Sequence, residues 1–299
     1  MEDADTGETE RDGYYVLLNK YAVARGHFLL VTKLYESQSH PLTPGQLIQT
    51  YLLLLAAQSR QRPYFAFFNC GVLSGASQPH KHIQFMPGEP PLERLARSAK
   101  IENEARPFVI PKVPFAAHIK RLDRNVVASA SSIVTSTYPS SSSSSSEETL
   151  DRLGAELSMS FMSVLDEMYQ TMRVRAQHNA ATGTTTASSD APSTPSYNVV
   201  MTLEHIYLFP RSAEKVVIAR DPSGTDEISH LSATKEGDEP FLSLSINSLG
   251  FGGMLLVKSS QELERVKAVG IGRMLSEVGM EPAKEEDNKG CDDVFADLT

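Results

Sequence analysis

Between residues 69 and 84 the chain reads Asn69-Cys70-Gly71-Val72-Leu73-Ser74-Gly75-Ala76-Ser77-Gln78-Pro79-His80-Lys81-His82-Ile83-Gln84, a stretch rich in side chains able to act on phosphorus. If residues 80 to 84 are extended, alternation puts His80, His82 and Gln84 in a row on one face and Lys81 and Ile83 on the other. Ahead of them Gly71, Ser74, Gly75 and Ser77 form a small-residue loop whose backbone N–H groups and hydroxyls can surround phosphate oxygens. An imidazole with an ordinary pKa of about 6.5 is largely neutral at about pH 7, and the cationic N–P adduct it forms gives it up readily. Its second nitrogen must hold a proton, which a carbonyl or side chain bonded to that nitrogen secures. Gln84 adds a neutral amide that can donate to a non-bridging oxygen without raising a nearby histidine's pKa. The same residues fit a metal pair, with His27 or His205 as third ligand, or a polar face with no chemistry. The loop and Gln84 favour phosphate, since a metal site gains nothing specific from either. No Walker-type loop is present, against an ordinary P-loop nucleotidase.

The elements that must hold these residues are short strands and amphipathic helices. Tyr14 to Leu18 and His27 to Thr32 read as buried strands joined by a turn at Arg25 and Gly26, hence a hairpin. Thr43, Pro44 and Gln46 supply an N-cap, a proline at the first helical position and a capping-box partner, opening a helix through about Ala57. Tyr64 to Asn69 and Pro79 to Met86 are the next strands. Leu150, Leu153, Leu157, Phe161, Leu165, Met168 and Met172 recur at steps of three and four, predicting a long helix over residues 149–179 whose stripe is core. Strand-like runs follow at Asn198 to Leu203, His205 to Phe209, Val216 to Ala219 and Leu242 to Ser248, then a helix from Gln261 to Val269. The irregular mixture favours an α+β architecture over a doubly wound parallel sheet.

Composition sets the limits. With 299 residues and 40% apolar content the chain has the make-up of a globular protein. No run approaches the roughly 20 apolar residues of a membrane span, and the first dozen residues are acidic. The cytosol is the expected compartment, with the nucleus as a second candidate. Cys70 and Cys291 are too few for a disulfide scaffold or a four-thiolate zinc site. Of the net charge of −9, residues 1–12 carry −5 and residues 276–299 carry −6, leaving residues 13–275 at +2, close enough to neutral to hold a small polyanion. Residues 128–148, with the run Ser140 to Ser146, and residues 180–196 read as solvated surface inserts.

The motif Ser-Gly-Ala-Ser-Gln-Pro-His-Lys-His-Ile-Gln closely resembles the active-site signature of the fungal-type diadenosine tetraphosphate phosphorylases, or ATP adenylyltransferases, of the histidine-triad superfamily. Leu17 to Tyr21 with Gly26 to Lys33 resembles that family's opening hairpin, and Ser245 to Lys258 its carboxyl-terminal substrate segment. The resemblance covers most of residues 14–126 and 197–280. It implies a histidine-triad-like fold, related to galactose-1-phosphate uridylyltransferase: a mainly antiparallel sheet with flanking helices and two disordered inserts. The implied organisation is an acidic disordered tail over residues 1–12, a catalytic part over 13–127, the inserts at 128–148 and 180–196 around the helix 149–179, a carboxyl-terminal part over 197–279 and an acidic tail over 280–299.

Carried over by position, His82 would be the nucleophile, His80 would orient it through backbone and neighbours, and Gln84 would bind the α-phosphate. Substrate-contacting positions would be Asn19, Lys20, Asn69, Gly75, Ala76, Ser77, Gln78, Asn247, Ser248, Leu249, Met254 and Lys258. The implied reaction is phosphorolysis of diadenosine tetraphosphate to ATP and ADP, and its reverse, through adenylyl-His82. Lys20 and Lys258, with Lys33 or Lys81, would offset polyphosphate charge. The implied partners are a dinucleoside polyphosphate, ATP, ADP and inorganic phosphate, without nucleic acid or membrane. A monomer is expected, as is no tightly bound cofactor; a divalent cation, Mg or Mn, would arrive with the substrate. The alternatives are a non-catalytic nucleotide-binding or regulatory paralogue and a metal-dependent protein using His80 and His82. Members of the family usually carry a further amino-terminal segment, with a substrate-contacting lysine, where this chain begins with its acidic dozen; a sheet edge with uncovered apolar surface is therefore expected.

Overall fold

The computed structural model describes residues 13–111, 113–135, 143–182, 194–220, 225–228 and 241–282. Residues 1–12, most of the acidic carboxyl-terminal end, Cys291 and the centres of both predicted inserts lie outside these residues. Seven strands form the main sheet: β1 (Tyr14–Leu18), β2 (Phe28–Thr32), β3 (Tyr64–Cys70), β4 (His82–Pro87), β5 (His118–Arg121), β6 (Tyr197–Met201) and β7 (His205–Pro210). Their order is β1-β2-β4-β3-β6-β7-β5, and every neighbouring pair is antiparallel. A second sheet orders β8 (Lys215–Arg220), β9 (Asp226–Ile228) and β10 (Phe241–Ser245) as β10-β8-β9. The helices are α1 (Pro44–Ser59), α2 (Pro91–Ser98), α3 (Arg124–Thr135), α4 (Ser143–Thr182), α5 (Ser248–Phe251), α6 (Ser260–Val269) and α7 (Ile271–Val278).

Alternation along the strands splits the core in two, because successive side chains leave opposite faces of the sheet. Leu30, Ala66, Phe68, Ile83, Phe85, Val199 and Leu208 face the helical layer of α1, α3 and α4, where the stripe Leu153, Leu157, Phe161, Leu165 and Met168 is buried. Phe65, Phe67, Val200, Tyr207 and Phe209 face α2, α5, α6, α7 and the small sheet. The central strands are covered on both faces, so they read as nearly continuous apolar runs. The capping box predicted for α1 is present: Thr43 Oγ1 accepts from the Gln46 N–H at 3.3 Å and Gln46 Oε1 accepts from the Thr43 N–H at 3.0 Å.

Several boundaries differ from the sequence reading. α4, expected over residues 149–179, extends at both ends, taking in residues 143–148 and 180–182 that were expected in the solvated inserts. Residues 128–135, expected in a solvated insert, continue α3, and Ala130 is fully buried between the helices. The strand expected through Ser248 stops at Ser245, because the Asn247 side chain accepts from the Leu249 N–H and caps α5. The strand expected from Pro79 starts at His82. β1, read from its apolar run as a buried strand, instead lies at the sheet's outer edge and exposes Tyr15, Val16, Leu17 and Leu18. Among the described residues no helix is long and apolar enough to cross a membrane.

A pH dependence is built into β5. His118 is buried 3.1 Å from the Thr171 hydroxyl on α4, and burial pushes its pKa down to about 4. The unfolded chain protonates this ring as pH falls through about 6.5, whereas the folded chain does so only near the lower value. Its contribution is therefore complete above about pH 6.5 and is lost on the way down to about pH 4, by up to about 3 kcal/mol. Urea unfolding across this window is expected to show a shallower pH slope for His118→Gln than for wild type; equal slopes would refute the assignment.

Candidate active site

The sheet face opposite α1 and α4 carries His82 and Gln84 at the start of β4. On this face Val31 of β2 lies across from His82, and Leu29 and Phe67 flank Gln84. His82 is buried, and its Nδ1 lies 2.8 Å from the His80 carbonyl oxygen. That oxygen only accepts, so Nδ1 carries the proton and Nε2 keeps its lone pair. Burial pushes the His82 pKa below the ordinary histidine value; the His80 carbonyl opposes that shift and the His80 ring adds to it. The result is a neutral imidazole with a defined nucleophilic nitrogen.

His80 does not stand in a row with His82 and Gln84. Residue 80 forms an isolated bridge with Ser37 ahead of β4, and its Nε2 lies 3.1 Å from the Leu34 carbonyl and 3.0 Å from the Thr32 hydroxyl. His80 thus touches His82 through its backbone oxygen, while its ring turns toward the strand β2 exit. Each ring gives one nitrogen to a carbonyl and keeps the other, and among the described residues no third His, Cys or carboxylate ligand converges with this pair. His205, proposed above as a third ligand, lies elsewhere, 2.8 Å from Glu93. Glu93, Glu204 and His205 are the one converging group of metal-type ligands among the described residues, and Arg97 bridges both carboxylates while Tyr207 donates to Glu93. That cluster is a satisfied ion network.

Lys81 faces the helical side. Its ammonium is buried against Glu36 at 3.1 Å, the Pro41 carbonyl at 3.0 Å and Gln46 at 3.3 Å, so it is spent on structure and does not reach phosphate from the site face. Lys20, Lys33 and Lys258 are exposed and form no ion pair among the described residues.

The structure gives His27, weighed above only as a third metal ligand, a different role, and adds Gln38, which the sequence reading left without one. His27 lies with Nε2 3.2 Å from Gln84 Oε1, and Asn19 Nδ2 lies 3.3 Å from its ring nitrogens. Holding the Gln84 oxygen leaves the Gln84 NH2 as the end available to an incoming acceptor. Burial lowers the His27 pKa, the Gln84 bond counteracts it, and the nearby His82 ring, which disfavours a second positive charge, lowers it further. Gln38 is the second. Its Oε1 accepts the His82 N–H at 2.8 Å and its Nε2 donates to the Asn69 carbonyl at 2.8 Å, clipping the start of β4 to the end of β3. Neither contact is visible in sequence spacing, because each joins segments more than thirty residues apart.

The small-residue loop is shaped by two glycines in the left-handed region, Gly71 at φ +86° and Gly75 at φ +73°. Among the described residues no protein acceptor takes the backbone N–H of Gly75, Ala76, Ser77 or Gln78. Gly75 packs against the Ile246–Asn247 backbone. Asn69 and Ser248 are buried and bonded to each other, with Asn69 Oδ1 accepting from Ser248 N at 3.0 Å and from Ser248 Oγ at 2.6 Å. Of the downstream positions, Leu249 is core and Met254 packs beside it, whereas exposed Lys258 stands at the foot of α6. The structure therefore assembles His82, Gln84, Asn19, Asn69, the 75–78 loop and the 247–248 turn, and leaves His80's ring, Leu249 and Lys258 outside that contact set.

Comparison with known proteins gives this arrangement its class. Residues 9–103 match the Ap4A phosphorylase N-terminal domain, and residues 111–281 match the ATP adenylyltransferase C-terminal domain. The chain belongs to the Ap4A phosphorylase / ATP adenylyltransferase family, a family of enzymes with an α+β, histidine-triad-like fold. It is 30% identical over 269 residues to diadenosine 5',5'''-P1,P4-tetraphosphate phosphorylase 2 of Saccharomyces cerevisiae, covering 87% of this chain and 67% of that protein. It is 25% identical over 262 residues to protein APA1 of the same yeast, covering 87% of this chain and 66% of that protein. The crystal structure of yeast Ap4A phosphorylase Apa2 with AMP superposes with a TM-score of 0.62 at 26% identity, over 92% of this chain and 75% of that one. The Apa2 complex with Ap4A gives a TM-score of 0.59 at 25% identity, over 91% and 75%. This chain spans about two thirds of the length of these curated relatives.

Proposed function

We propose that this chain cleaves Ap4A with inorganic phosphate, giving ATP and ADP, through an adenylyl group carried on His82. The observation that carries this reading is the His82 imidazole itself: neutral by burial, with Nδ1 tied to the His80 carbonyl and Nε2 left as a lone pair. Nε2 attacks the α-phosphorus, an N–P bond forms, and the P–O bond to the departing ATP breaks with its electron pair on the leaving oxygen. The His80 carbonyl steadies the imidazolium that results. Inorganic phosphate then attacks the same phosphorus, the N–P bond breaks, the pair returns to Nε2, and ADP departs. The reverse sequence makes the dinucleotide from ATP and ADP.

Gln84 Nε2 and the N–H groups of residues 75–78 are the donors placed to meet charge that grows on the non-bridging oxygens, and such fixed donors cost little reorganisation. The residues assembled at the site are amides, hydroxyls, imidazoles and backbone donors, with no carboxylate to hold a resident cation. A divalent ion belongs in this reading only as a companion of the polyphosphate. The yeast relative's complexes with AMP and Ap4A support the same substrate class.

The test is intact-protein mass spectrometry after brief exposure to Ap4A without phosphate. An acid-labile adenylyl adduct mapping to His82, discharged as ADP when phosphate is added, is expected. A protein that binds Ap4A yet never carries the adduct is a nucleotide binder, and the proposal fails.

A further inference from the structure

Beneath the site runs a chain of side-chain hydrogen bonds that begins at a buried arginine. Arg211 is 2% exposed at the end of β7 and forms no ion pair among the described residues. Its Nη1 donates to Asn198 Oδ1 at 2.6 Å and to the Ile246 carbonyl at 2.7 Å, and its Nη2 donates to the Ala213 and Glu214 carbonyls at 2.6 and 3.1 Å. Its guanidinium lies 5.0 Å from the centre of the Phe251 ring. A buried cation held by neutral oxygens alone is expensive, and burial pushes its pKa down to about 9, still well above neutral pH.

A guanidinium only donates, which forces the chemistry of each group in turn. Asn198 must turn its oxygen to Arg211, so its nitrogen points away, donating to Asn69 Oδ1 at 2.9 Å and to the Ser74 carbonyl at 2.8 Å. The Ser74 carbonyl accepts only, so the Asn198 amide is fixed from both ends. Asn69, directly across the β3–β6 pair from Asn198, then receives three donors on its oxygen: Asn198 Nδ2, Ser248 N and Ser248 Oγ. Its own nitrogen has no protein acceptor among the described residues. Asn69 is only 1% exposed, and its nitrogen does not count among the fully buried unpartnered atoms, so it keeps a small opening through which a bound acceptor can reach it.

We infer that Arg211 is a positioning residue for the nucleotide site: through Asn198 it fixes the Asn69 amide with its NH2 presented to a phosphate oxygen of the bound nucleotide. The inference rests on the nucleotidyl-transfer reading for its ligand, but it needs binding only and no covalent step. The same arginine holds the Ile246 carbonyl against which Gly75 packs, so one buried side chain sets both the Asn69 donor and the floor of the loop.

The probe is AMP, with its dissociation constant measured by calorimetry on the full chain. Arg211→Lys keeps the charge but cannot reproduce the planar fork, and Asn69→Ala deletes the NH2 without placing a charge beside the phosphate. Each is expected to weaken AMP binding by about tenfold, the usual worth of one hydrogen bond to a charged group. The double variant is expected to bind about as well as either single one, because both changes remove the same donor. Two independent losses that multiply, or wild-type affinity in Arg211→Lys, would overturn the inference.

Should Arg211→Lys fail to fold, Asn198→Asp serves instead. It gives Arg211 a carboxylate partner but sets an oxygen against the Ser74 carbonyl and the Asn69 oxygen, so it keeps the arginine's charge partnered while it cannot donate to Asn69. Loss of AMP affinity in a variant that still unfolds cooperatively is expected; unchanged affinity overturns the relay. Adduct formation on wild type, scored separately, tests the catalytic reading. A wild-type protein that binds AMP without forming the adduct rejects that reading and leaves the relay to the binding data, and one that binds no AMP rejects the relay as well.

Discussion

A His82→Ala protein is expected to form no adenylyl adduct and to lose Ap4A phosphorolysis by at least about 10⁴-fold, because removing the nucleophile removes the two-step route itself. The fold should survive. Among the described residues the one hydrogen bond of the His82 ring runs to the backbone two residues away. The contact that ties this position into the sheet is made by the backbone N–H to Gln38, which alanine keeps. Stability is therefore expected to change by no more than about 1 kcal/mol. Single-turnover phosphorolysis alongside urea unfolding separates the two effects. Wild-type turnover in this variant would dismiss His82 as nucleophile; a collapse of stability with activity would mean that the ring carries the fold in a way its contacts do not show.

How far the sequence revealed this site depends on whether each feature is local. The Thr43–Gln46 capping box, the limits of β1 and the apolar stripe of α4 are set by residues within a few positions of one another, and the structure agrees with them. The division of Lys81 from His82 follows from the period of two and holds as well, though the destination of Lys81 does not: Glu36 and Gln46 come from the far side of the sheet. His80 departs from the expected row because Ser37 and Gln38 pair with the segment before β4, and nothing within residues 69–84 announces that partner.

Composition misled on both sides of the first insert, where residues 143–148 open α4 and residues 128–135 continue α3. Residues 128–135 are rich in Ser and Ala, which resembles linker, yet they form a helix because α1 and α4 offer Ala130 a buried seat. The relay from Arg211 to Asn69 was invisible for the same reason that it works. Its members lie on β3, on β6 and beyond β7, and only the Asn69–Asn198 register brings them together.

Gly75→Ala is expected to lower kcat/KM for Ap4A by about 100-fold while costing only about 1–3 kcal/mol of stability. Part of the cost is conformational, since φ of +73° lies in the left-handed region that a Cβ disfavours by roughly 1–2 kcal/mol. The larger effect is positional. An added Cβ would sit 2.7 Å from the Ile246 carbonyl oxygen and 3.1 Å from the Asn247 Cβ. That carbonyl cannot retreat cheaply, because Arg211 holds it at 2.7 Å and the Ile246 N–H is bonded to Glu214 at 3.0 Å. The loop must move instead, carrying the N–H groups of residues 75–78 away from His82, and a displacement of about 1 Å at such a site can cost about 10²-fold. Gly88→Ala is the control: its φ of +97° imposes dihedral strain, but a Cβ there meets nothing within 4 Å. Gly88→Ala should lose stability and keep its turnover, whereas Gly75→Ala should lose turnover out of proportion to stability. If the two variants lose activity only in step with their unfolding midpoints, the 75–78 loop is not a phosphate cradle, and the donors that face the nucleotide must be sought elsewhere.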